Sequence, residues 1–272
     1  MEIFSAAKGY DTIINEMRYV EKTGKGSLYM DIAQEFMEKT KYKHLGESDQ
    51  SRGLPQPPLE AVYELSGPKI NLPSPAELKY GQKALIDIIN SRRSLRQYSD
   101  GSFTPEELSF MLWCTQGVRR AKAGVASYRS VPSAGARHAF ETFLLINRVD
   151  GIKPGLYRYA AFEHKLAEVD TDSGITDKIV AGCLGQGFVG SSAVTFIWTA
   201  DVDRMKWRYD LRGYRYLHLD AGHVCQNLYL AAEAIDAGAC AIAAFDDDEI
   251  NQVLGLDGIK QFVIYVAAAG KK

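Results

Sequence analysis

Apolar residues recur along the chain with two different periods, and the alternation between those periods marks out its elements. Leu28, Ile32, Phe36 and Met37 return at helical spacing and predict a helix over 27–39. A second amphipathic run predicts a short helix over 84–90. Thr104-Pro105-Glu106-Glu107 places threonine at an N-cap, proline at the first helical position and glutamate at the third, and Leu108, Met111 and Leu112 carry that helix to about Gln116. The longest helix is expected over 216–237, with Leu217, Val224, Leu228, Ala231 and Ile235 as its apolar stripe. The segments 140–146 and 194–198 read as buried strands, and 155–159 with 166–169 as a hairpin. Further strands are expected at 238–243 and 261–267, separated by a short helix at 248–254. Helices and strands mix without regular βαβ alternation, so the predicted fold class is α+β.

Residues 81–272 form the expected core domain. Before them, the polar stretch 46–58 and the Pro-rich stretch 68–75 make residues 1–80 an N-terminal extension, read as an arm over a neighbouring surface and not as a second domain. At 272 residues and 46% hydrophobic content the chain can bury a substantial core. Its 32 Lys and Arg against 34 Asp and Glu give a formal charge of −2, too little field to gather nucleic acid or an anionic membrane. Cys114, Cys183, Cys225 and Cys240 stand far apart in apolar surroundings, the pattern of buried thiols and not of a metal site or disulfide framework. The start of the chain has no signal-peptide pattern, and no run approaches the ~18 apolar residues of a membrane helix. A soluble cytoplasmic protein is expected.

The chemistry is concentrated in Arg92-Arg93-Ser94-Leu95-Arg96. Guanidinium groups hold phosphate through paired, charge-assisted hydrogen bonds and stay charged at any working pH. The same cluster also suits a solvated basic helix end. Gly185-Gln186-Gly187-Phe188-Val189-Gly190 satisfies a dinucleotide-binding pattern in the wrong setting, because a helix-like run precedes it and a strand, at Val194, follows.

Four further segments are decisive when taken in order: Pro132-Ser133-Ala134-Gly135-Ala136; Tyr214-Arg215-Tyr216 running on through Asp220, Gly222 and His223 to Gln226-Asn227; Ala241-Ile242-Ala243-Ala244-Phe245-Asp246; and Ala269-Gly270-Lys271. With the arginine cluster they resemble the nitroreductase-like flavoprotein family, specifically its SagB-type dehydrogenase branch, over roughly 86–271. The resemblance implies a central mixed or antiparallel sheet flanked by helices, in a homodimer with FMN at its interface. By the same resemblance Arg92 and Arg93 face the FMN phosphate, Ser94 reaches the ribityl chain or phosphate, and Arg96 lies at the N1–O2 edge of the ring.

The resemblance further places backbone amides of Ala243-Ala244 toward N5, where many relatives carry Glu-Gly. It places Pro132, Ser133, Ala134, Gly135 and Ala136 over the ring from the partner subunit, with the Ser133 hydroxyl as a donor, and Lys271 on the phosphate. His223 reads as a satisfied core histidine. SagB-type enzymes that oxidise azolines carry Lys-Tyr where this chain has Arg208-Tyr209. Arginine is a poor general base, whereas Tyr209 could still donate a proton to a reduced substrate. The implied activity is hydride transfer from NAD(P)H through flavin N5 to a conjugated small molecule, nitroaromatic or quinone-like. The alternatives are a SagB-type dehydrogenase acting on a heterocycle in a peptide, and a non-catalytic flavin-binding protein.

Overall fold

A computed structural model describes residues 26–61 and 67–272. Its elements in chain order are α1 (Gly26–Lys39), β1 (Lys69–Asn71), α2 (Leu85–Ser91), α3 (Pro105–Gln116), β2 (Val118–Lys122), β3 (Ala126–Arg129), β4 (Phe140–Ile146), β5 (Gly155–Ala160) and β6 (Lys165–Asp170). There follow α4 (Ile175–Gly182), α5 (Phe188–Ser191), β7 (Val194–Asp201), α6 (Val202–Tyr209), α7 (Gly213–Ala234), β8 (Ala237–Ile242), α8 (Asp247–Leu254) and β9 (Gln261–Lys271). Seven strands form one antiparallel sheet in the order β1-β6-β5-β4-β7-β9-β8, and β2 with β3 makes a separate hairpin. The class is α+β, as the sequence implied.

The burial of every residue of β4, including Glu141 and Thr142, reflects cover on both faces of the sheet. Phe140, Leu144 and Ile146 point to one side, where they join Phe196 and Trp198 beneath Leu108 and Met111 of α3 and Leu217, Val224 and Leu228 of α7. Phe143 and Leu145 point to the other, against Ile175 and Ile179 of α4 and Ile250 and Leu254 of α8. The capping box at α3 forms as its sequence dictates: Glu107 N donates to Thr104 Oγ1 at 3.2 Å and Thr104 N to Glu107 Oε2 at 3.0 Å.

By contact the chain divides into two units, Met1–Gly46 and Glu47–Lys272. In the first, Ile32, Phe36 and Met37 of α1 remain largely exposed. Residues 47–61 and 67–80 belong to the second. There the segment ending at Ala61 is tied down by buried charge: Glu141 accepts from Ala61 N at 2.7 Å, from Arg158 at 2.6 Å and from Arg204. Burial alone would raise the Glu141 carboxyl, but Arg204 and Arg158 outweigh it and hold it below the usual carboxylate range.

Three segments differ from expectation. β9 continues past 267 because Ala267, Ala268 and Ala269 are enclosed between β7 and β8, and that packing overrides alanine's weak strand preference. α6 and the β2–β3 hairpin, rich in Arg and Lys, carry no clean apolar period. At Gly185-Gln186-Gly187 a helix, α4, does precede, and the four-residue α5 intervenes before β7. Among the described residues no helix is long and apolar enough to cross a membrane, and no cluster of His, Cys, Asp and Glu could hold a metal.

Candidate functional site

The arginine cluster leaves the C-terminal end of α2 and lies down on the sheet edge. Leu95 N donates to Ala239 O of β8 at 2.9 Å, and Ser94 bridges Ala239 in parallel fashion. Two glycines make this possible. Gly238 and Gly270 face each other across β8 and β9. A Cβ at Gly238 would stand 2.6 Å from Leu95 Cδ2, and one at Gly270 would stand 2.7 Å from the Tyr98 ring. With both side chains missing, Leu95 and Tyr98 settle against bare backbone, and Tyr98 Oη donates to Leu95 O at 2.7 Å and Ala268 O at 3.1 Å. Arg93, Ser94 and Arg96 are consequently turned outward and exposed, with Arg92 half-buried.

Tyr229 of α7, absent from the sequence reading, joins this segment to β8. Its hydroxyl lies 3.0 Å from Ser94 Oγ and accepts from Ala241 N at 2.8 Å, while the Arg92 guanidinium stands 5.2 Å from its ring centroid. Beyond Ile242 the strand ends, and Ala243 and Ala244 are exposed. The arginine segment and the two exposed alanines thus border the same edge strand, β8, along an open ledge. A separate cleft of about 340 Å³ is lined by Ile88, Trp113, Cys114, Asn227, Leu230 and Ala231. Being mostly apolar and carrying no guanidinium, it lacks the chemistry for an anion.

Lys271 ends β9 opposite Ala237, two residues from the Ser94 bridge. Its ammonium pairs with Glu107 Oε1 and lies 5.4 Å from the Phe103 ring centroid. Any contact of Lys271 with phosphate therefore competes with the capping-box glutamate.

The loop 132–136 is built elsewhere, on Asp220 of α7. Ser133 Oγ donates to Asp220 Oδ2 at 2.6 Å and accepts from His138 N at 2.9 Å, and Ala134 N donates to the same carboxylate at 3.2 Å. The Ser133 hydroxyl proton, which the sequence reading directed toward a ligand, is spent on Asp220. Gly135 adopts φ 55°, and a Cβ there would collide with the Tyr209 hydroxyl, so glycine is required both for the turn and for Tyr209. Tyr209 packs edge-on against Tyr216, centroids 4.7 Å apart, with Arg208 over its ring at 5.7 Å. The structure therefore brings Tyr209, Arg208 and the loop together. Nearby, burial and then Arg129 and Arg137 lower His138 to about 3, so its imidazole is neutral at physiological pH. His223 departs from the core role expected of it: its side chain is 51% exposed, one turn from Asp220.

Asp220 and Tyr229 are nine residues apart, about 13 Å along the α7 axis. Loop and arginine ledge accordingly occupy different stations on one helix. Asp220 stood in the sequence as a member of the Tyr214–Asn227 motif, without a sign of what it would bind, and Tyr229 gave no signal beyond its aromatic ring.

Comparisons with known proteins bear on this arrangement. The nitroreductase family model matches residues 89–271. A nitroreductase-family protein of Methanocaldococcus jannaschii is 31% identical over 204 residues, 75% of this chain and 96% of that one. The trifolitoxin-processing protein TfxB of Rhizobium leguminosarum bv. trifolii is 25% identical over 199 residues, 71% of this chain but only 53% of that protein. A crystal structure of a nitroreductase-family protein from Anabaena variabilis superposes with a TM-score of 0.63 at 29% identity, covering 77% of this chain and 42% of that one. The chain belongs to the nitroreductase family.

Proposed function

We propose that the protein is an FMN-dependent oxidoreductase that acts as a homodimer, drawing electrons from NADH or NADPH and delivering them to a conjugated small molecule, nitroaromatic or quinone-like. The observation that carries this reading is the ledge. Outward-facing guanidiniums and a serine lie on the same sheet edge as two exposed alanines, a donor set that fits a phosphorylated planar ligand. Bound there, FMN would supply hydride acceptance and donation at N5.

The chain's own groups have distinct tasks. Arg92 and Arg93 neutralise the phosphate, with Lys271 beside them once it parts from Glu107. Arg96 fixes a positive charge at the edge of the ring that becomes electron-rich on reduction. Ala243 and Ala244, with no bulk beyond a methyl, let backbone approach the ring. The small residues Pro132, Ala134, Gly135 and Ala136, held by Ser133 and Asp220, cover the ring of the opposite subunit, bringing Tyr209 within reach of a substrate as proton donor. The separation of loop and ledge along α7 supports this two-subunit assembly. The extension before residue 81 serves as an arm on a neighbouring surface.

The trifolitoxin-processing relative favours a second reading, a SagB-type dehydrogenase of peptide heterocycles. Arg208 in place of lysine counts against it, because the position lacks a group able to take up a proton. Steady-state assays separate the readings. The first predicts NAD(P)H oxidation that depends on a quinone or nitroaromatic, and no mass change on an azoline-bearing peptide. A loss of two mass units from the peptide would favour the second, and no turnover with either would leave flavin binding alone.

A further inference from the structure

The flavin reading leaves open why Ser94, exposed and on an irregular segment, should present a hydrogen to a ligand at all. A serine hydroxyl rotates freely and donates or accepts as its neighbours dictate. Here its neighbour is already engaged as an acceptor. The Ala241 amide can only donate, and at 2.8 Å it occupies a lone pair of Tyr229 Oη. The Tyr229 hydrogen is then free to point at Ser94 Oγ, 3.0 Å away. Cys240 Sγ is also near this hydroxyl, but sulfur is a weak acceptor, and the thiol lies 3.5 Å from Ala241 O as a donor of its own. Once Ser94 Oγ accepts from Tyr229, its own hydrogen is left for another acceptor, and Ser94 is exposed to receive one.

We propose that Tyr229 is the positioning residue of the phosphate site, setting a one-way chain from the Ala241 amide through the Tyr229 and Ser94 hydroxyls to a phosphomonoester oxygen. Each bond in such a chain polarises the next. The same ring limits the travel of the Arg92 guanidinium stacked 5.2 Å from its centroid, so one side chain orients two ligand-facing groups. The inference rests on the flavin reading and adds a residue to it.

The test uses FMN and riboflavin, which differ only by the phosphate, titrated by quenching of flavin fluorescence. Tyr229→Phe keeps the ring and removes the hydroxyl. It is expected to weaken FMN about tenfold, the scale of one hydrogen bond to a charged group, and to leave riboflavin unchanged. Ser94→Ala is expected to do the same. The double variant should lose no more than either single one, because both remove the same chain. Tyr229→Phe binding FMN like the wild type, losses that multiply in the double variant, or a parallel loss of riboflavin would each overturn the role of Tyr229 while leaving the flavin reading intact. A wild-type chain that takes up neither flavin would overturn the flavin reading, and this inference with it.

Discussion

Asp220 shows how one buried carboxylate shapes a loop of small residues. It is 4% exposed and receives Ser133 Oγ and Ala134 N. Burial raises its carboxyl above the ordinary 3.8, and the bonds from Ser133 and Ala134 only partly oppose that rise. A folded-state pKa above the unfolded one means that ionisation costs stability. The contribution is fully present below 3.8 and is lost as pH rises through the raised folded value. Asp220→Asn, which keeps one acceptor for Ser133 and Ala134 and cannot ionise, should therefore gain on the wild type as pH goes from 4 to 7 in urea unfolding. Asp220→Ala should cost about 1–3 kcal/mol, most at low pH, since it strands two half-buried donors and, like Asn, cannot ionise. A stability difference between wild type and Asp220→Asn that does not change with pH would show that the carboxyl is not raised. The residue scale is also where sequence reading reached least. It gave Ser133 to a ligand and His223 to the core because hydrogen-bond partners from α7 are set by packing, which no local pattern encodes.

At the scale of elements, the seating of the arginine segment depends on what β8 and β9 lack. The sequence showed Gly238 and Gly270 as a strand start and part of a closing motif, but their register opposite each other appears only when the sheet forms. Gly238→Ala would force a Cβ to within 2.6 Å of Leu95 Cδ2 and 2.7 Å of Leu95 Cβ, so the segment 92–96 must move off the sheet. The expected cost is about 1–3 kcal/mol of stability, together with at least a tenfold loss of FMN affinity, on the order of other overpacked sites. Gly187→Ala, where an added Cβ meets nothing within 4 Å, serves as the control and should stay within about 0.5 kcal/mol of wild type with unchanged FMN binding. Equal behaviour of the two variants in thermal melts and FMN titrations would remove the glycine pair from the account. Elements with strong periodicity or explicit end signals were legible in advance, β4 and α3 above all. Those rich in Arg and Lys, α6 and the β2–β3 hairpin, were not, because their burial is decided by partners distant in sequence.

At the scale of the whole molecule, a buried charge cluster around Glu141 ties the segment before residue 62 to β4, β5 and α6, and α7 carries both halves of the candidate site. The family and the antiparallel sheet followed from motifs in order, since order survives where individual residues drift. The substrate did not, because none of those motifs carries side chains specific to one acceptor, and in the proposed assembly the acceptor's side of the site would be completed by a second subunit. The central claim is that the arginine ledge holds FMN, and it is tested most directly by the identity of the cofactor that purified protein carries. The account predicts a yellow protein whose heat-released flavin is FMN, with Arg92→Ala purifying largely colourless and regaining colour only at high added FMN. Release of FAD, or a colourless wild-type protein that refuses added FMN, would contradict it.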